Sequence, residues 1–253
     1  PVAAVLRGFD EIYVIAKGAR FTRMPDLIAR DESFKSAMSQ GLSIADTGVT
    51  DIGFVKIDRA QVPAVESDLE EIEKQLHARD DAAIFIRAEG GDAFEATWEE
   101  GPGVVYQRLV TTHGALEDDE KGCFRLPLSQ ESDGTSRFLN LLPIFMILNA
   151  KGRRGLFLID EFEASLHPRL TTHLLNRFLE GTGEDQRRQL IFSTHEVQLM
   201  RADLLRRDEI WLVEKRNHAS QLVRMTDFAD GPRKGTDLVS VYMSGRLGGV
   251  PRI

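Results

Sequence analysis

A short apolar segment that ends in two adjacent acids constrains the fold of this chain more than any other feature of its sequence. The run from Leu156 to Ile159 is continuously apolar and is followed directly by Asp160 and Glu161. Such a run, closed by a turn, is typical of a strand that is buried on both faces of a parallel sheet. The carboxyl ends of parallel strands border the crevice in which α/β proteins bind ligands. The sequence therefore predicts an α/β fold with Asp160 and Glu161 at a binding crevice.

The acid pair has two interpretations. Asp and Glu are seldom buried unless they are paired or bound to metal, so two carboxylates at this place favour a functional role. They match the Walker B pattern of P-loop NTPases, in which the first acid holds Mg²⁺ and the second orients or deprotonates the attacking water. The alternative is an ordinary strand followed by a solvated acidic turn, and this segment alone does not decide between the two.

Two flanking segments favour the first interpretation. Upstream, the small-residue turn 132–135 precedes Phe138, from which apolar residues recur at helical spacing, so the turn lies at a helix amino terminus. Free N–H groups and the helix dipole favour an anion there. Downstream, the segment 189–195 is another short apolar strand candidate that ends in Ser-Thr-His. Taken singly, the turn could be a plain N-cap and His195 an ordinary histidine, but their order along the chain argues against both alternatives.

The order of these three segments resembles the carboxyl half of an ABC-type ATPase head. The segments 131–135, 160–168 and 193–195 are similar to those of the SMC-like ATPases of bacterial defence and genome maintenance. The overcoming-lysogenisation-defect ATPases and their stand-alone relatives in phage-defence operons belong to that group. The resemblance covers residues 124–253. It implies an ABC-type P-loop NTPase fold with a mostly parallel sheet flanked by helices, and two heads that close over two ATP molecules.

The resemblance also implies roles for the residues of the acid pair and the switch strand. Asp160 would hold Mg²⁺, Glu161 would position or activate water, and His195 would hydrogen-bond the γ-phosphate of ATP. Five further residues are candidate nucleotide contacts: Ser132, Gly134, Thr135, Ser165 and His167.

Those five contacts belong to two loops. The first three form the signature turn and would donate to the γ-phosphate held by the opposite subunit. The last two lie in the segment 162–167, which would be the D-loop that communicates between the two sites. Asp133 departs from the second glycine of the transporter signature, and this departure favours the SMC-like branch.

One expected motif is missing. A P-loop requires Gly-x-x-x-x-Gly-Lys-Ser/Thr after a strand, so that backbone N–H groups and the lysine can hold phosphates. No stretch of the 253 residues has this spacing. We therefore expect the chain to be the later part of an ATPase whose amino-terminal Walker A lobe is missing, cleaved or carried by another polypeptide, and ATP binding to depend on that lobe.

The chain divides into three expected regions. Residues 1–78 are expected to be a mainly helical insertion or lid subdomain, since apolar residues from Phe9 to Leu42 recur with helical periodicity. Residues 79–123 are expected to form a β-hairpin segment that joins the ATPase sheet, because Gly-Gly-Asp separates two strand candidates there. Residues 124–253 would be the carboxyl lobe with the signature, Walker B, D-loop and switch histidine.

Composition narrows the remaining possibilities. A chain with 42% apolar and 28% charged residues is typical of a soluble globular protein. The net charge of −8 argues against a surface built to coat nucleic acid, although it permits a local basic groove. The single cysteine, Cys123, excludes an intramolecular disulfide and favours a reducing cytosol. No apolar run approaches the length of a membrane span, so we expect a cytoplasmic protein that does not enter the membrane.

Three functional hypotheses remain. The leading one is an ATPase whose ATP-dependent association, as a head-to-head dimer or a higher oligomer, controls a nuclease or toxin effector in anti-phage defence. The second is a nucleotide-gated scaffold or sensor that holds a partner with little turnover, and the retained Glu161 argues against it. The third is a DNA-repair ATPase. Nucleic-acid contact is left open, with solvated surface as the alternative, at three basic pairs: Arg153-Arg154, Arg187-Arg188 and Arg206-Arg207.

Overall fold

A computed structural model describes residues 11–79, 81–114, 122–149, 155–181, 188–216, 218–228 and 236–246. These residues form ten strands and six α-helices. The strands are β1 (Glu11–Ile15), β2 (Val49–Ile57), β3 (Ala83–Arg87), β4 (Ala93–Glu99), β5 (Gly103–His113), β6 (Phe124–Pro127), β7 (Gly155–Ile159), β8 (Arg188–Phe192), β9 (Trp211–Arg216) and β10 (Ala219–Arg224). The helices are α1 (Met24–Arg30), α2 (Glu32–Ile44), α3 (Glu66–Ala78), α4 (Asp133–Asn149), α5 (Pro168–Glu180) and α6 (Leu238–Met243).

The strand predicted to precede the acid pair lies at the centre of a parallel sheet. This sheet A has the order β1-β7-β8, and both neighbours of β7 run parallel to it. The carboxyl ends of all three strands therefore lie at one edge of the sheet. At this edge Lys17 follows β1, Asp160 follows β7 and Ser193 follows β8. The prediction of an α/β fold with a parallel sheet flanked by helices is confirmed.

One face of sheet A packs against the helices. Tyr13 of β1 stacks on Phe157 of β7 with ring centroids 4.5 Å apart. Both contribute to an apolar core that includes side chains from α1, α2, α4 and α5, and Phe162, which follows β7, is fully buried in it. Burying apolar surface at roughly 25 cal/mol per Å² makes this core the main source of stability for the site edge.

The opposite face of sheet A is apolar and exposed. Ile12 is 43% exposed, Val14 is 73% exposed and Ile191 is 48% exposed. Side chains alternate between the two faces of a strand, so these three residues point away from the core. The outer edge of β8 pairs with no other described strand. An apolar face beside an open edge is a surface that another segment or chain can cover.

A second sheet leads directly into the signature turn. Sheet B is antiparallel with the order β2-β5-β4-β3, and β6 also pairs with β5. Helix α3 covers it through Leu69 and Leu76, which pack with Phe94 and Tyr106. A short 3-10 turn, Leu128–Gln130, connects β6 to the beginning of α4. Strands β3 and β4 form a β-hairpin within the predicted region 79–123, but among the described strands they pair in sheet B and not in the parallel sheet A. The division into three regions stays a prediction.

The helical prediction for the first part of the chain is wrong at one place. Ile12 and Ile15, which were assigned to a helix, lie in β1 and pair with β7. Periodicity does not distinguish a short apolar run in a helix from one in a strand, and here the pairing with a buried strand decides. The periodicity from Leu27 to Leu42 does correspond to helices, α1 and α2. Phe9 lies outside the described residues.

The fold limits which of the basic pairs could contact nucleic acid. Arg188 is buried and donates to the main-chain carbonyls of Leu148 and Gly181, so it is not available to a phosphate. Arg206 is exposed but pairs with Asp208 and Glu209. The residues 153, 154 and 187 lie outside the described part of the chain.

Within the described residues, no helix has both the length and the apolar character that a membrane span needs.

Candidate functional site

The two predicted acids are held together by a serine on the neighbouring strand. The hydroxyl of Ser193 donates to Asp160 Oδ1 over 2.6 Å and accepts from the main-chain N–H of Glu161 over 2.9 Å. Main-chain bonds from Ser193 to Ile159 and from Phe162 to Ser193 continue the sheet pairing past the strand ends. Asp160 and Glu161 therefore leave β7 in a fixed orientation rather than as a loose turn.

The backbone at this corner adopts an uncommon conformation. Glu161 has φ +44°, in the left-handed region that residues other than glycine seldom occupy. Such residues cost on the order of 1–3 kcal/mol and cluster at active sites, where surrounding contacts hold them in place. The sequence interpretation of a solvated acidic turn does not account for this strain or for the bonds of Ser193.

A lysine that the sequence analysis did not single out also contacts the second acid. Lys17 Nζ lies 2.7 Å from Glu161 Oε2. Lys17 is largely exposed, and the hydrogen bond to Glu161 raises the pKa of its ammonium group. The parallel pairing of β1 with β7 brings this residue to the site. The sequence would have placed Lys17 at the site if the segment that precedes it, β1, had been predicted as a strand.

The predicted switch histidine is tied to the loop that follows the acids. The main-chain N–H of His195 donates to Glu163 Oε1 over 2.8 Å, and the imidazole of His195 is exposed. Burial alone would raise the pKa of Glu163, but hydrogen bonds from the Thr194 hydroxyl and the His195 N–H hold it below its ordinary value. Glu163 is therefore an ionised side chain that joins the D-loop segment to the end of β8.

The signature turn begins α4 with an ordinary capping bond. Ser132 Oγ accepts from the main-chain N–H of Thr135 over 3.1 Å and lies 2.9 Å from the Thr135 hydroxyl. Ser132 is exposed and Thr135 is buried. The plain N-cap interpretation of Ser132 is thus correct as far as it goes. A capped helix start still presents free N–H groups, so the contact to a nucleotide stays a prediction.

Side chains of sheet B and its connecting turns hydrogen-bond to the residues that precede the signature turn. Asp92 accepts from the main-chain N–H of Ser129 over 2.9 Å and from its hydroxyl over 2.8 Å. Glu131 is almost fully buried, accepts from the Thr111 hydroxyl and lies 2.7 Å from His113 Nε2. These contacts join residues far apart in sequence, and no local pattern indicates them.

The signature turn also touches the D-loop segment within the same chain. A Cβ atom on Gly134 would lie 2.9 Å from the carbonyl oxygen of Ser165, so the close approach requires glycine. Ser165 has φ +61°. His167 caps α5, since its Nδ1 accepts from the main-chain N–H of Arg169 over 3.2 Å. The structure thus brings Gly134 and Ser165 together and gives His167 a structural role, while their nucleotide contacts stay predictions.

The oxygen atoms at the corner fit a magnesium ion that arrives with phosphates. Among the described residues, no group of three or more His, Cys, Asp or Glu side chains could hold a metal by itself. Mg²⁺ is usually bound by one or two carboxylates together with phosphate oxygens and water. Asp160 and the hydroxyl of Ser193 supply oxygen ligands of the required kind.

A parallel sheet whose carboxyl edge holds an acid pair, beside a capped helix start, is an arrangement used by nucleotide-binding domains of the P-loop class. Residues 23–201 match the family described as "AAA domain, putative AbiEii toxin, Type IV TA system", and the chain belongs to this family. A search of curated proteins found no match. The match covers the signature turn, the acid pair, the D-loop segment and His195.

We predict that Gly134→Ala weakens the contact between the signature turn and the D-loop segment. Alanine favours a helix by about 1 kcal/mol over glycine, but the new Cβ would meet main-chain Ser165 and force one loop to move, at a cost of about 1–3 kcal/mol. Urea unfolding should therefore show a net loss of stability.

The matched control is Gly53→Ala in β2, where a Cβ would meet only the Lys35 side chain, at 3.5 Å. That variant should be unchanged or slightly more stable. Equal stability of both variants would contradict the close approach of Gly134 to Ser165.

Proposed function

We propose that this protein hydrolyses ATP as an SMC-like ABC ATPase of the stand-alone overcoming-lysogenisation-defect group, and that ATP-dependent association of two heads controls an effector in anti-phage defence. The observation that carries the proposal is the corner in which Ser193 orients both Asp160 and Glu161. Membership in a family of AAA domains described with the AbiEii toxin supports the ATPase activity and a defence or toxin–antitoxin context. The effector would be a nuclease or a toxin.

In this mechanism Asp160 and Ser193 would hold Mg²⁺, which would neutralise charge on the phosphate oxygens when bound. Glu161 orients the attacking water and accepts its proton. The ammonium of Lys17 lies 2.7 Å from that carboxylate, so the pair must separate before the carboxylate can face the attacking water. His195, exposed at the same edge, donates to the γ-phosphate.

The second half of the site comes from the opposite head. Ser132, Gly134 and Thr135 donate to its γ-phosphate from the start of α4, where the helix dipole favours an anion. Ser165 and His167 lie on the segment between the two nucleotide sites. Through this segment, closure of the heads over one nucleotide affects the other site. The contact between Gly134 and Ser165 supports this role, because the signature turn cannot move towards the D-loop segment without displacing it.

We further propose that a Walker A lobe, on the same polypeptide or another, covers the exposed face of sheet A. The sequence contains no P-loop motif, so the phosphates need a second source of N–H donors and a lysine. The exposed apolar residues of β1 and β8, and the open edge of β8, offer that lobe a surface and a strand partner.

One observation favours the alternative of a nucleotide-gated scaffold with little turnover. A glutamate held by a lysine is poorly placed to accept a proton, so slow hydrolysis would follow if Lys17 stays bound to Glu161 after ATP binds. The DNA-repair alternative gains no such support, because Arg188 is buried and Arg206 is paired with acids.

The lobe is tested by calorimetry and amide hydrogen exchange. We predict that residues 1–253 alone show no measurable affinity for Mg-ATP, and that adding a Walker A lobe restores binding. The lobe should also slow exchange in β1 and β8, while amides of helix α3, which covers sheet B, serve as the control. Micromolar binding of Mg-ATP by residues 1–253 alone would contradict the proposal.

The role of Glu161 is tested in the ATPase that includes the lobe. We predict that Glu161→Gln retains ATP binding, traps the closed dimer and lowers hydrolysis by roughly 10²–10⁴-fold, since it removes the group that takes the proton. The control Glu71→Gln, on the exposed surface of α3, should hydrolyse at the wild-type rate. Single-turnover phosphate release at the wild-type rate in Glu161→Gln would rule out the assignment.

The signature turn is tested by comparing two substitutions of Ser132 in the ATPase that includes the lobe. Both lose the capping bond, which costs about 1 kcal/mol. Only Ser132→Arg also fills the space in which the opposite phosphate would dock, so it should abolish ATP-induced dimerisation and hydrolysis while each monomer still binds ATP. Ser132→Ala should still dimerise, with light scattering as the measurement. Normal dimerisation of Ser132→Arg would mean that Ser132 is only an N-cap.

A further inference from the structure

A buried arginine joins the helix of the signature turn to the acid corner. Arg137 lies in the second turn of α4 and is only 7% exposed. Its Nη2 donates to the main-chain carbonyl oxygens of Asp160 over 3.3 Å and of Glu161 over 3.2 Å. The main-chain carbonyls of both predicted acids therefore accept hydrogen bonds from one side chain of α4.

The remaining donors of this arginine are unused in the described structure. Arg137 Nε and Nη1 are buried without a hydrogen-bond partner, and so is Glu163 Oε2. Burial lowers the pKa of the Arg137 guanidinium, while the charges of Glu163, Glu161 and Asp160 act in the opposite direction. A charged group with unsatisfied donors in the interior is costly to stability, and an apolar residue of similar volume is often better tolerated. Nη2 is therefore the one guanidinium nitrogen of Arg137 that is hydrogen-bonded in the described structure, and both of its bonds go to the acid corner.

A second buried arginine shows what a structural role looks like in this fold. Arg188 also donates to two main-chain carbonyls, those of Leu148 and Gly181. It begins β8, whereas the acid corner lies beyond the other end of that strand. Arg137 differs because both carbonyls that it contacts belong to the acid pair. Arg188 is therefore a suitable control, because it is a buried arginine whose two main-chain bonds lie away from the acid corner.

We propose that Arg137 is a positioning residue that couples the signature turn to the acid pair, so that movement of α4 is transmitted to the peptide groups of Asp160 and Glu161. A displacement of about 1 Å in a catalytic group can cost on the order of 10²-fold in rate, so a small shift of α4 is sufficient. Docking of a nucleotide at the start of α4 then adjusts Glu161 in the same chain. The consequence for catalysis rests on the proposed ATPase function, whereas the coupling itself does not.

The coupling is tested first without nucleotide. Amide hydrogen exchange of residues 1–253 is compared between the wild type, Arg137→Met, Arg137→Lys and Arg188→Met. We expect at least tenfold faster exchange at Glu161 and Phe162 in Arg137→Met, a smaller increase in Arg137→Lys, and none at these two amides in Arg188→Met. If Arg137→Met does not fold, the comparison between Arg137→Lys and Arg188→Met decides.

The catalytic consequence is tested in the ATPase that includes the Walker A lobe. Arg137→Met should lower kcat at least tenfold with little change in KM, because a buried side chain does not contact the nucleotide. Arg137→Ala should regain activity when guanidine is added at non-denaturing concentration, and Arg137→Met, whose side chain fills the space, should not. Arg188→Met should keep the wild-type kcat per folded molecule.

The outcomes of the two tests separate the two proposals. Unchanged exchange at the corner in both Arg137 variants, or equal loosening in Arg188→Met, would overturn the coupling even if activity falls. Absence of guanidine rescue together with a raised KM would overturn it as well. Faster exchange in a protein whose wild type has no ATPase activity would support the coupling and contradict the proposed function instead.

Discussion

The hydroxyl of Ser193 donates to Asp160 and accepts from the amide of Glu161, and through these two bonds one side chain after β8 orients both acids after β7. The arrangement requires parallel strands in register, because only then do the residues that follow them stand side by side. The apolar core beneath the sheet stabilises that register. The geometry of the site is thus a direct consequence of sheet pairing, and the catalytic proposal depends on that pairing.

The signature turn is connected on two sides, and the connections differ in kind. On the side of sheet B, Asp92 accepts from the main-chain N–H of Ser129, just before the turn, and Glu131, at the edge of the turn, accepts from the Thr111 hydroxyl of β5. On the side of sheet A, Arg137 donates to main-chain oxygens of the acid corner. Buried charged groups that are hydrogen-bonded rigidify what they join, since releasing either partner leaves an unpaired charge. The turn is therefore a rigid junction between the two sheets.

Much of the fold could be predicted because local patterns indicated it. The apolar run before Asp160, the helix start at Ser132 and the hairpin of β3 and β4 each depend on short-range sequence signals. The strand β1 was predicted as a helix because its apolar spacing is ambiguous over so few residues, and only its pairing with β7 makes it a strand. When a strand is predicted as a helix, the residues that follow it are not placed at the edge of the sheet. Lys17, which follows β1, was missed for this reason.

The side chains that organise the site were harder to predict for a different reason. The sequence indicates Ser193 only as part of a motif and gives no role to Arg137, although both lie beside predicted site residues. Their roles arise from hydrogen bonds to residues more than 20 positions away, or more than 30 for Ser193. An arginine on a helix is usually exposed, so nothing in the local sequence indicates that this one is buried.

The loop after β7 shows how the core and the site are related. It has two residues with left-handed φ, Glu161 and Ser165, each of which costs on the order of 1–3 kcal/mol. Between them Phe162 is fully buried, which contributes about 1.5–3 kcal/mol, and two main-chain bonds within the loop contribute about 1 kcal/mol each. The strained conformation is thus approximately offset by burial of a single aromatic ring and local hydrogen bonding.

That ring packs against the same helix that carries the arginine. The ring centre of Phe145 in α4 lies 5.7 Å from that of Phe162. At 3.6 residues per turn, Phe145 is about two turns along the helix from Arg137. Helix α4 therefore contacts the loop twice. The ring of Phe145 packs on Phe162, and the guanidinium of Arg137 donates to the carbonyls of Asp160 and Glu161. A movement of α4 that keeps both contacts must carry the loop with it, and one that breaks either contact leaves the strain at Glu161 without compensation. In either case the conformation of the acid pair depends on the position of the helix that begins at the signature turn.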